Sequence, residues 1–554
     1  MTCLVTAQGD EFDVQKVIHP VVAGLPAPKM IEGFGEGQMA ITTSSDEAAK
    51  HFAQGLSKLN TAWDFEAYRH FCQVVTLDPE CLMGYWGIAL SLSGGNHEFF
   101  NERTASIERM LDLLESKDEK GEVRWNPMEA GFAAGIGFLL TDGPRKAGKE
   151  FERLVEKYPA NIQASLLSLS MQRTGFDRGG RPRLGQRKAE AGFRKLLEKH
   201  PENISVMAFW IKVRSERLDD VASLREDVLP VAEKLITRYP DYAPFHLILA
   251  QAQSSCGYAK AGLQASERAK ELFKAYMKNE GVALYDCDGL IRAQLFEATL
   301  KQLLGDMKGA LEVCKELALF KIDETRVFSK GATLLLWEGR TLSARLVSAS
   351  NDKALYLDGQ KIMASQQDDK DWFKEKSFAI LYRDCLGVYL GVRGAIEDKK
   401  AEIAKTLYDQ FLLKLRGFEQ SRQLAMRTSS YGNWVRASRT IGMLVPELRG
   451  MLAELEDGAV KLSAGTWYRA ARDSQRGREG SLLPPSMPYP MEWRLGNHYV
   501  GIDEVNEATS WYLKAIKIRP NHPLILKSLS EVAKKLGKTE EALALKKQID
   551  AVTK

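Results

Sequence analysis

Histidine and cysteine are the residue types whose spacing most often marks a metal site or a catalytic nucleophile. The eight histidines stand at positions 19, 51, 70, 97, 200, 246, 498 and 522, and none has another histidine within four residues. The seven cysteines, at positions 3, 72, 81, 256, 287, 314 and 385, contain no C-x-x-C pair. Zinc sites and disulfide frameworks need closer or paired spacings. We therefore predict no metal and no cofactor, and we expect structural histidines and mostly buried cysteines.

The short motifs of common enzyme classes are also missing from the sequence. It contains no phosphate-binding G-x-x-x-x-G-K-[ST], no G-x-S-x-G, no H-E-x-x-H and no EF-hand loop. The sequence thus indicates no catalytic residue, and binding is favoured over catalysis. An enzyme with a pocket between the middle helices and the C-terminal repeats is kept as an alternative.

Two arginine-rich stretches could bind an anion or a nucleic acid. Residues 173–188, RTGFDRGGRPRLGQRK, hold six basic residues and one acid. Residues 412–439 combine arginines with Tyr431 and Trp434, a pairing of charge and stacking surface typical of RNA-binding segments. The alternative is a solvated loop in the first stretch and, in the second, arginines paired with acids of neighbouring helices. The candidate anion contacts are Arg181, Arg183, Arg187, Arg427, Arg436 and Arg439.

The elements that carry these residues are predicted to be paired helices. Gly55, Ala67, Phe71 and Pro79 are separated by 12, 4 and 8 residues. The same separations recur in Gly135, Ala147, Phe151 and Pro159, and in Gly496, Ala508, Tyr512 and Pro520. Small residues allow two antiparallel helices to touch, an aromatic residue one turn later fills the space beneath them, and proline ends the unit. The spacing predicts an all-α fold of helix–turn–helix repeats.

This pattern resembles the tetratricopeptide repeat (TPR), and WRLGNHY at 493–499 is similar to the first-helix pattern of that repeat. Gln54-Gly55-Leu56, DPECLMGYWGIAL at 78–90 and a proline-rich link before the last repeats also resemble a bacterial group of large TPR proteins whose reaction is unknown. The resemblance implies an α-solenoid, a superhelix of antiparallel helix pairs. It further implies a scaffold that binds a protein or peptide partner through a concave groove.

The periodicity divides the chain into five segments. They are an extended lead-in at 1–40, TPR-like repeats at 41–333 with the basic insertion at 173–188, longer and less regular helices at 334–480, a proline-rich link at 481–490, and a C-terminal TPR pair at 491–554.

The proline-rich link leads to a prediction for the binding site. Four prolines in ten residues cannot join a helix because proline lacks an N–H group, so we expect the link to cross a surface. The final repeats would then pack back on the long helices of 372–476 and leave a cleft. The residues expected to border this partner or ligand cleft are Tyr489, Trp493, Arg494 and His498.

Charge and hydropathy limit the other partners. The formal net charge of +4 is small for 554 residues, so it provides no general attraction to nucleic acid or to an anionic membrane. No window approaches the 18 apolar residues of a membrane span, and a cytoplasmic location is expected. The alternative is a lipoprotein anchor at Cys3 if an upstream signal was removed.

Overall fold

The computed structural model describes residues 12–93, 98–117, 124–177, 180–217, 221–365, 378–428, 430–456, 458–475 and 482–553. These ranges consist of α-helices joined by turns and irregular segments and include no β-strand. Two compact units divide the chain: unit 1 comprises Met1–Arg173 with Glu202–Val206, and unit 2 comprises Thr174–Pro201 with Met207–Lys554. The prediction of an all-α helical-repeat solenoid is confirmed. Cys3 and His97 lie outside the described residues.

Unit 1 is built from stacked helix pairs. Its helices are α1 Pro20–Ala23, α2 Asp46–Asn60, α3 Asp64–Leu77, α4 Leu82–Ser91, α5 Phe100–Glu115, α6 Pro127–Thr141, α7 Pro144–Lys157 and α8 Ile162–Met171. From α2 to α8, each helix packs against the next, and the first helices of successive pairs, α2, α4 and α6, also touch one another. The aromatic rings of Phe52, Trp86 and Phe132 meet in sequence along this layer of first helices, with centroid distances of 6.3 and 5.5 Å. They tie the repeats of unit 1 together.

The described helices of unit 2 run from four to 23 residues. These are α9 Leu184–Lys199, α10 Ile204–Ser215 (whose first residues belong to unit 1), α11 Ala222–Asp227, α12 Leu229–Arg238, α13 Ala243–Ser255, α14 Ala259–Glu280, α15 Asp288–Leu303, α16 Met307–Leu319, α17 Lys330–Leu334, α18 Leu342–Val347, α19 Lys353–Ala364, α20 Ala379–Glu397, α21 Ala401–Gln420, α22 Arg422–Ala425, α23 Tyr431–Ala453, α24 Ala459–Gln475, α25 Met491–Gly501, α26 Val505–Ile518, α27 Pro523–Lys535 and α28 Thr539–Thr553.

The last repeats of unit 2 return to earlier ones. Helix α25 packs against α24, as expected for a final pair that docks on the long helices. Helix α28 also touches α14, and the Asn521 side chain donates to the carbonyl of Gly257 at 3.3 Å. The C-terminal repeat of unit 2 therefore also contacts an earlier helix pair, that of α13 and α14.

The repeat positions are occupied as the spacing predicts. A Cβ atom placed on the first-helix glycine would lie against the second-helix aromatic ring, at 3.0 Å for Gly55 and Phe71, 2.5 Å for Gly135 and Phe151, and 2.2 Å for Gly496 and Tyr512. Real Cβ contacts are longer than 2.5 Å, so a larger residue at Gly135 or Gly496 would force the ring to move, whereas at Gly55 a shift of a few tenths of an ångström would be enough. The spacing in the sequence reflects this helix contact.

The repeat turns share one hydrogen-bond pattern. The N–H groups of Trp63, Gly143 and Glu504 donate to the carbonyls five residues earlier at 2.8–2.9 Å. Ala62, which precedes Trp63, has φ +65°, and Asp503, which precedes Glu504, has φ +63°. This left-handed cap satisfies the free carbonyls at the helix end, and here non-glycine residues adopt it.

The basic insertion is shorter than predicted. An isolated antiparallel bridge joins Phe176 to Pro182, and α9 already begins at Leu184. The irregular part therefore ends before Leu184, because residues 184–188 extend the helix that follows.

Candidate functional site

An irregular segment of unit 1 lies across the repeats. Residues 26–42, here called the strap, contain no helix. The Gln54 side chain on α2 holds one residue of the strap at two points. Its Nε2 donates to the Ile31 carbonyl at 2.6 Å, and the Ile31 N–H donates to its Oε1 at 3.2 Å. A side-chain amide that pairs with both backbone groups of one residue recognises a peptide rather than a particular side chain.

The strap continues from α2 to other first helices. Gln38 Nε2 donates to the hydroxyls of Ser57 and Ser205, at 3.0 Å each. The Thr42 N–H donates to Glu129 on α6 at 2.5 Å. We call the surface formed by Gln54, Ser57 and Lys58 of α2, Glu129 of α6 and Ser205 of α10 the first-helix face. First helices are those that the sequence predicts to line the groove.

Charged side chains lie buried beneath the strap. We call His51, Lys58, Glu66, Arg69 and His70 the polar cluster. Lys58, Glu66 and Arg69 are only 2%, 3% and 1% exposed, which is rare for these residue types unless they are paired. Lys58 Nζ lies 3.4 Å from Glu66 and donates to the Lys29 carbonyl of the strap at 3.1 Å.

The strap also receives a contact from α3. Arg69 forms an ion pair with Glu66 and donates to the Pro26 carbonyl at 2.8 Å. The polar cluster thus supplies two cationic donors to strap carbonyls, at Pro26 and at Lys29.

Two histidines extend the polar cluster. Lys58 Nζ lies 2.7 Å from His70 Nε2, and His70 Nδ1 lies 2.9 Å from His51 Nδ1. Because a lysine ammonium only donates, His70 accepts at Nε2, carries its proton on Nδ1 and donates to His51. Both rings are then neutral. Burial is the main cause that lowers the pKa of each ring, and Lys58 adds to the effect.

Histidine spacing did not indicate this pair, because His51 and His70 stand 19 residues apart, far beyond the four-residue spacing typical of metal ligands on one helix. His51 and His70 lie on the two helices of one antiparallel pair, on opposite sides of the turn at Ala62. Residues at similar distances from such a turn face each other, and Lys58 and Glu66 do the same. The helix–turn–helix spacing was the signal that could have found them.

The proline-rich link of unit 2 is buried instead of crossing a surface, which corrects the expectation from its prolines. Pro484, Met487, Pro488, Tyr489 and Pro490 are all buried. Proline offers a carbonyl but no N–H group, so the link can be held only by donors at these positions. The helices around it supply side-chain donors, which is why the segment lies inside.

These donors reach alternate carbonyls along the link. Arg292 donates to the Leu482 carbonyl at 3.3 Å, and Arg436 donates to the Pro484 carbonyl at 2.7 Å. Arg345 donates to the Ser486 carbonyl at 3.5 Å, and His522 donates to the Pro488 carbonyl at 2.8 Å. The donors come from α15, α23, α18 and the start of α27. The link is therefore an internal strut of unit 2, held along its length by side chains from these four helices.

Arg436, one of the candidate anion contacts, is committed to this strut. Its Nε pairs with Glu338 at 2.8 Å, and Glu338 also pairs with Arg345 at 2.9 Å. Burial would raise the pKa of the Glu338 carboxyl, but the two guanidinium groups outweigh burial and hold it below its usual value. Arg436 thus holds a structural position between Glu338 and the link, and its role as an anion contact stays a prediction.

The other five candidate anion contacts are exposed. They are Arg181 and Arg183 before α9, Arg187 on α9, Arg427 after α22 and Arg439 on α23. Their side chains reach solvent, and their role as anion contacts stays a prediction.

The four residues predicted to border a cleft lie together but are buried. Tyr489, Trp493, Arg494 and His498 are 1%, 7%, 5% and 3% exposed. Arg494 Nε and the Tyr489 hydroxyl each donate to Glu447 Oε1 at 2.9 Å. They therefore fill the seam between α25 and the long helices and do not line an open surface there. That they contact a partner stays a prediction.

Neighbouring contacts complete this seam. The Tyr389 hydroxyl donates to Glu447 Oε2 at 3.0 Å, and Arg393 donates to the Tyr389 hydroxyl at 2.9 Å. His498 Nδ1 lies 3.0 Å from Glu454, and the Tyr468 hydroxyl donates to the same carboxylate at 2.8 Å. The seam is a packed polar network.

Within the described ranges, no group of three or more histidine, cysteine, aspartate or glutamate side chains is arranged to hold a metal ion. Among the helices of the same ranges, none combines the length and apolar character that crossing a bilayer requires.

Comparisons with known proteins add no family. No protein-family model matches the chain, and no curated protein matches its sequence. Among solved structures, the human IFIT1 dimer with PPP-AAAA is similar with a TM-score of 0.32 and 13% identity, over 92% of this chain and 96% of that chain. The Cut9–Hcn1 hetero-tetramer of APC/C has a TM-score of 0.30 and 12% identity, over 91% and 73%.

Yeast Tom70 is similar with a TM-score of 0.28 and 13% identity, over 91% of this chain and 92% of that chain. These TM-scores are low, so the fold is established by the helix pairs of this chain itself. Those pairs, with glycine against an aromatic ring at three crossings, make the chain an all-α solenoid of TPR-like repeats.

Proposed function

We propose that this protein is a helical-repeat scaffold that binds a protein partner by holding a peptide segment of it on the first-helix face of unit 1. The observation that carries the proposal is the two-point contact of Gln54 with the Ile31 backbone. This face already binds a non-helical peptide segment, which happens to be the chain's own.

The chemistry of the face suits a peptide backbone. On the face, Lys58 donates to a carbonyl, Glu129 accepts from an N–H group, and Gln54 does both. Arg69 of α3, beside the face, donates to a second carbonyl. Contacts to backbone groups supply affinity for many sequences, while side-chain pockets select among them. In the strap, Pro28 and Phe34 are the buried side chains.

Unit 2 offers less for this function. The side-chain donors of unit 2 that could hold a peptide backbone, such as Arg436, are occupied by the proline-rich link. The chain connects this link to α24 and α25 at its two ends, so the link cannot leave as a free peptide would. The seam around Glu447 is packed with buried side chains, so the geometry gives little support to an enzyme pocket between the middle helices and the C-terminal repeats.

A peptide-display selection on the full chain would test the proposal. Random peptides enriched on the protein would be synthesised, and amide hydrogen exchange would be followed by mass spectrometry with and without each peptide. We expect the exchange changes to centre on α2 and residues 26–42. Failure to enrich any peptide would contradict the proposal, as would changes confined to α25 and the seam.

The rival function is anion or nucleic-acid binding by the two arginine-rich stretches. The observation in its favour is the exposure of Arg181, Arg183 and Arg187. A labelled single-stranded RNA oligonucleotide would bind with an affinity that falls steeply as salt rises, because phosphate contacts release counterions. Replacing the three arginines by glutamine would abolish that binding and leave peptide binding unchanged. This pair of outcomes separates the two functions.

A further inference from the structure

The strap is held by few buried groups. Of residues 26–42, only Pro28 and Phe34 are buried, and the others are half-buried or exposed. Segments with few buried contacts and solvent-exposed backbone bonds open at low free energy compared with the helices beneath them. Apart from Pro28, Phe34 and the partly buried Met39 and Ile41, the strap has little apolar anchoring, so it should lift from the first-helix face more readily than the helices beneath it open.

What lies under the strap also favours opening. Lys58, Glu66 and Arg69 are charged, and they would be hydrated if the strap moved away. An apolar surface would oppose opening because water would have to cover it. The polar cluster instead exchanges hydrogen bonds with the Pro26 and Lys29 carbonyls for hydrogen bonds with water.

We propose that the strap is an internal competitor that occupies the peptide site of unit 1, and that a partner's non-helical peptide segment binds by displacing it. The inference rests on the proposed function and adds its regulation. A tethered competitor acts at an effective concentration of about a millimolar, so weak peptides are excluded and only a good match opens the site. The partner is thus a segment that reproduces the strap's backbone contacts and its aromatic anchor.

The first test uses the strap as its own probe. A fluorescent peptide of residues 26–42 would be titrated into the full chain and into its Phe34→Ala variant. Phe34 is buried in the strap, so its loss weakens the competitor without changing the first-helix face. A substitution such as Gln54→Ala would weaken strap and peptide alike and would be uninformative.

We expect the Phe34→Ala chain to bind the peptide at least about tenfold more tightly than the unaltered chain, because the apparent affinity scales with the open fraction. The matched control is Met30→Ala, a strap residue that is 41% exposed, for which the affinity should change by less than about twofold. Equal binding to the Phe34→Ala and unaltered chains would overturn the inference.

A second test locks the strap reversibly. A Cβ placed on Gly35 would lie 3.0 Å from the Ala53 Cβ on α2, and Gly35 does not have a positive φ. The double variant Gly35→Cys and Ala53→Cys can therefore form a disulfide after a small shift, because bonded cysteines place their Cβ atoms about 3.5–4.5 Å apart. The native cysteines at 72, 81, 256, 287, 314 and 385 are buried, and Cys3 is replaced by serine in every form so that no other thiol interferes.

Oxidation of this double variant should abolish binding of the peptide and of display-selected peptides, and reduction should restore it. The single variants Gly35→Cys and Ala53→Cys serve as controls and should not respond to oxidation. If selected peptides bind the locked and reduced forms equally while their exchange changes stay on α2, the strap inference fails and the proposed function stands. If no peptide binds any form, both fail.

Discussion

Arg494 and Glu447 form a buried ion pair, with Nε and Oε1 2.9 Å apart and the two side chains 6% and 0% exposed. The pair joins α25 to α23 and so attaches the final repeats to the long helices. Removing one partner of a buried pair leaves an uncompensated charge, which is strongly destabilising. We expect Arg494→Met to lower the free energy of unfolding of unit 2 by about 3–5 kcal/mol.

Urea denaturation followed by tryptophan fluorescence would measure this loss. The double variant Arg494→Met and Glu447→Gln should lose less than the sum of the two single variants, because the second change removes the unpaired charge. Additive losses would show that the two side chains do not interact.

The Gly135 crossing can be tested against a glycine of the same helix. A Cβ on Gly135 would approach Phe151 to 2.5 Å, whereas a Cβ on Gly137 has nothing within 4 Å. Gly135→Ala should destabilise unit 1 by about 1–3 kcal/mol through overpacking. Gly137→Ala should stabilise it by up to about 1 kcal/mol, since alanine favours helix. Thermal unfolding of the two variants would check both signs, and similar shifts would contradict the repeat register.

Arg436 and Arg439 offer a second matched pair on α23. Arg436 pairs with Glu338 and donates to the Pro484 carbonyl, whereas Arg439 is exposed. We expect Arg436→Ala to cost about 2–3 kcal/mol of stability, because it removes charged hydrogen bonds from buried groups. Arg439→Ala should change stability by less than about 0.5 kcal/mol. Chemical denaturation of both variants would decide whether the link is an internal strut.

The buried His522 ring should make the stability of unit 2 sensitive to acid. Its ring donates to the Pro488 carbonyl at 2.8 Å, and burial lowers its pKa from 6.5 to about 4. Below pH 6.5 the unfolded ring gains a proton and the folded ring does not, so stability present above pH 6.5 falls as the pH drops toward 4. The loss should reach about 3 kcal/mol, at about 1.4 kcal/mol per pKa unit.

The unfolding free energy measured between pH 7 and pH 4 would show this slope. His522→Asn should flatten part of it, because asparagine does not titrate. An unchanged slope in that variant would contradict the role of His522 and point to His246, the pKa of which burial also lowers.

The cysteines provide a chemical test of burial. Burial raises the pKa of the Cys256 thiol to about 11 and that of Cys81, Cys314 and Cys385 to about 12. Because the thiolate is the reactive form, these side chains should resist iodoacetamide in the native protein at neutral pH and react in denaturant. Mass spectrometry of the labelled peptides would identify any thiol that reacts early.

The repeat architecture could be predicted from the sequence because its contacts are local. Gly55 meets Phe71 and Gly135 meets Phe151, each pair within one helix–turn–helix unit. Local contacts impose a fixed spacing on residue types, and that spacing repeats along the chain. Short catalytic motifs are also local patterns, so their absence could be seen in the sequence as well. The polar cluster was within reach too, since His51 and His70 face each other across one turn.

Whether a candidate site residue is buried or exposed depends on contacts between distant parts of the chain. Arg436 meets Glu338 across 98 residues, and Arg292 meets Leu482 across 190. No spacing rule links such positions, so an arginine that pairs with a buried acid looks the same in the sequence as one that faces solvent. Proline composition likewise shows that the link lacks N–H donors, but only the surrounding helices decide whether its carbonyls face water or side-chain donors.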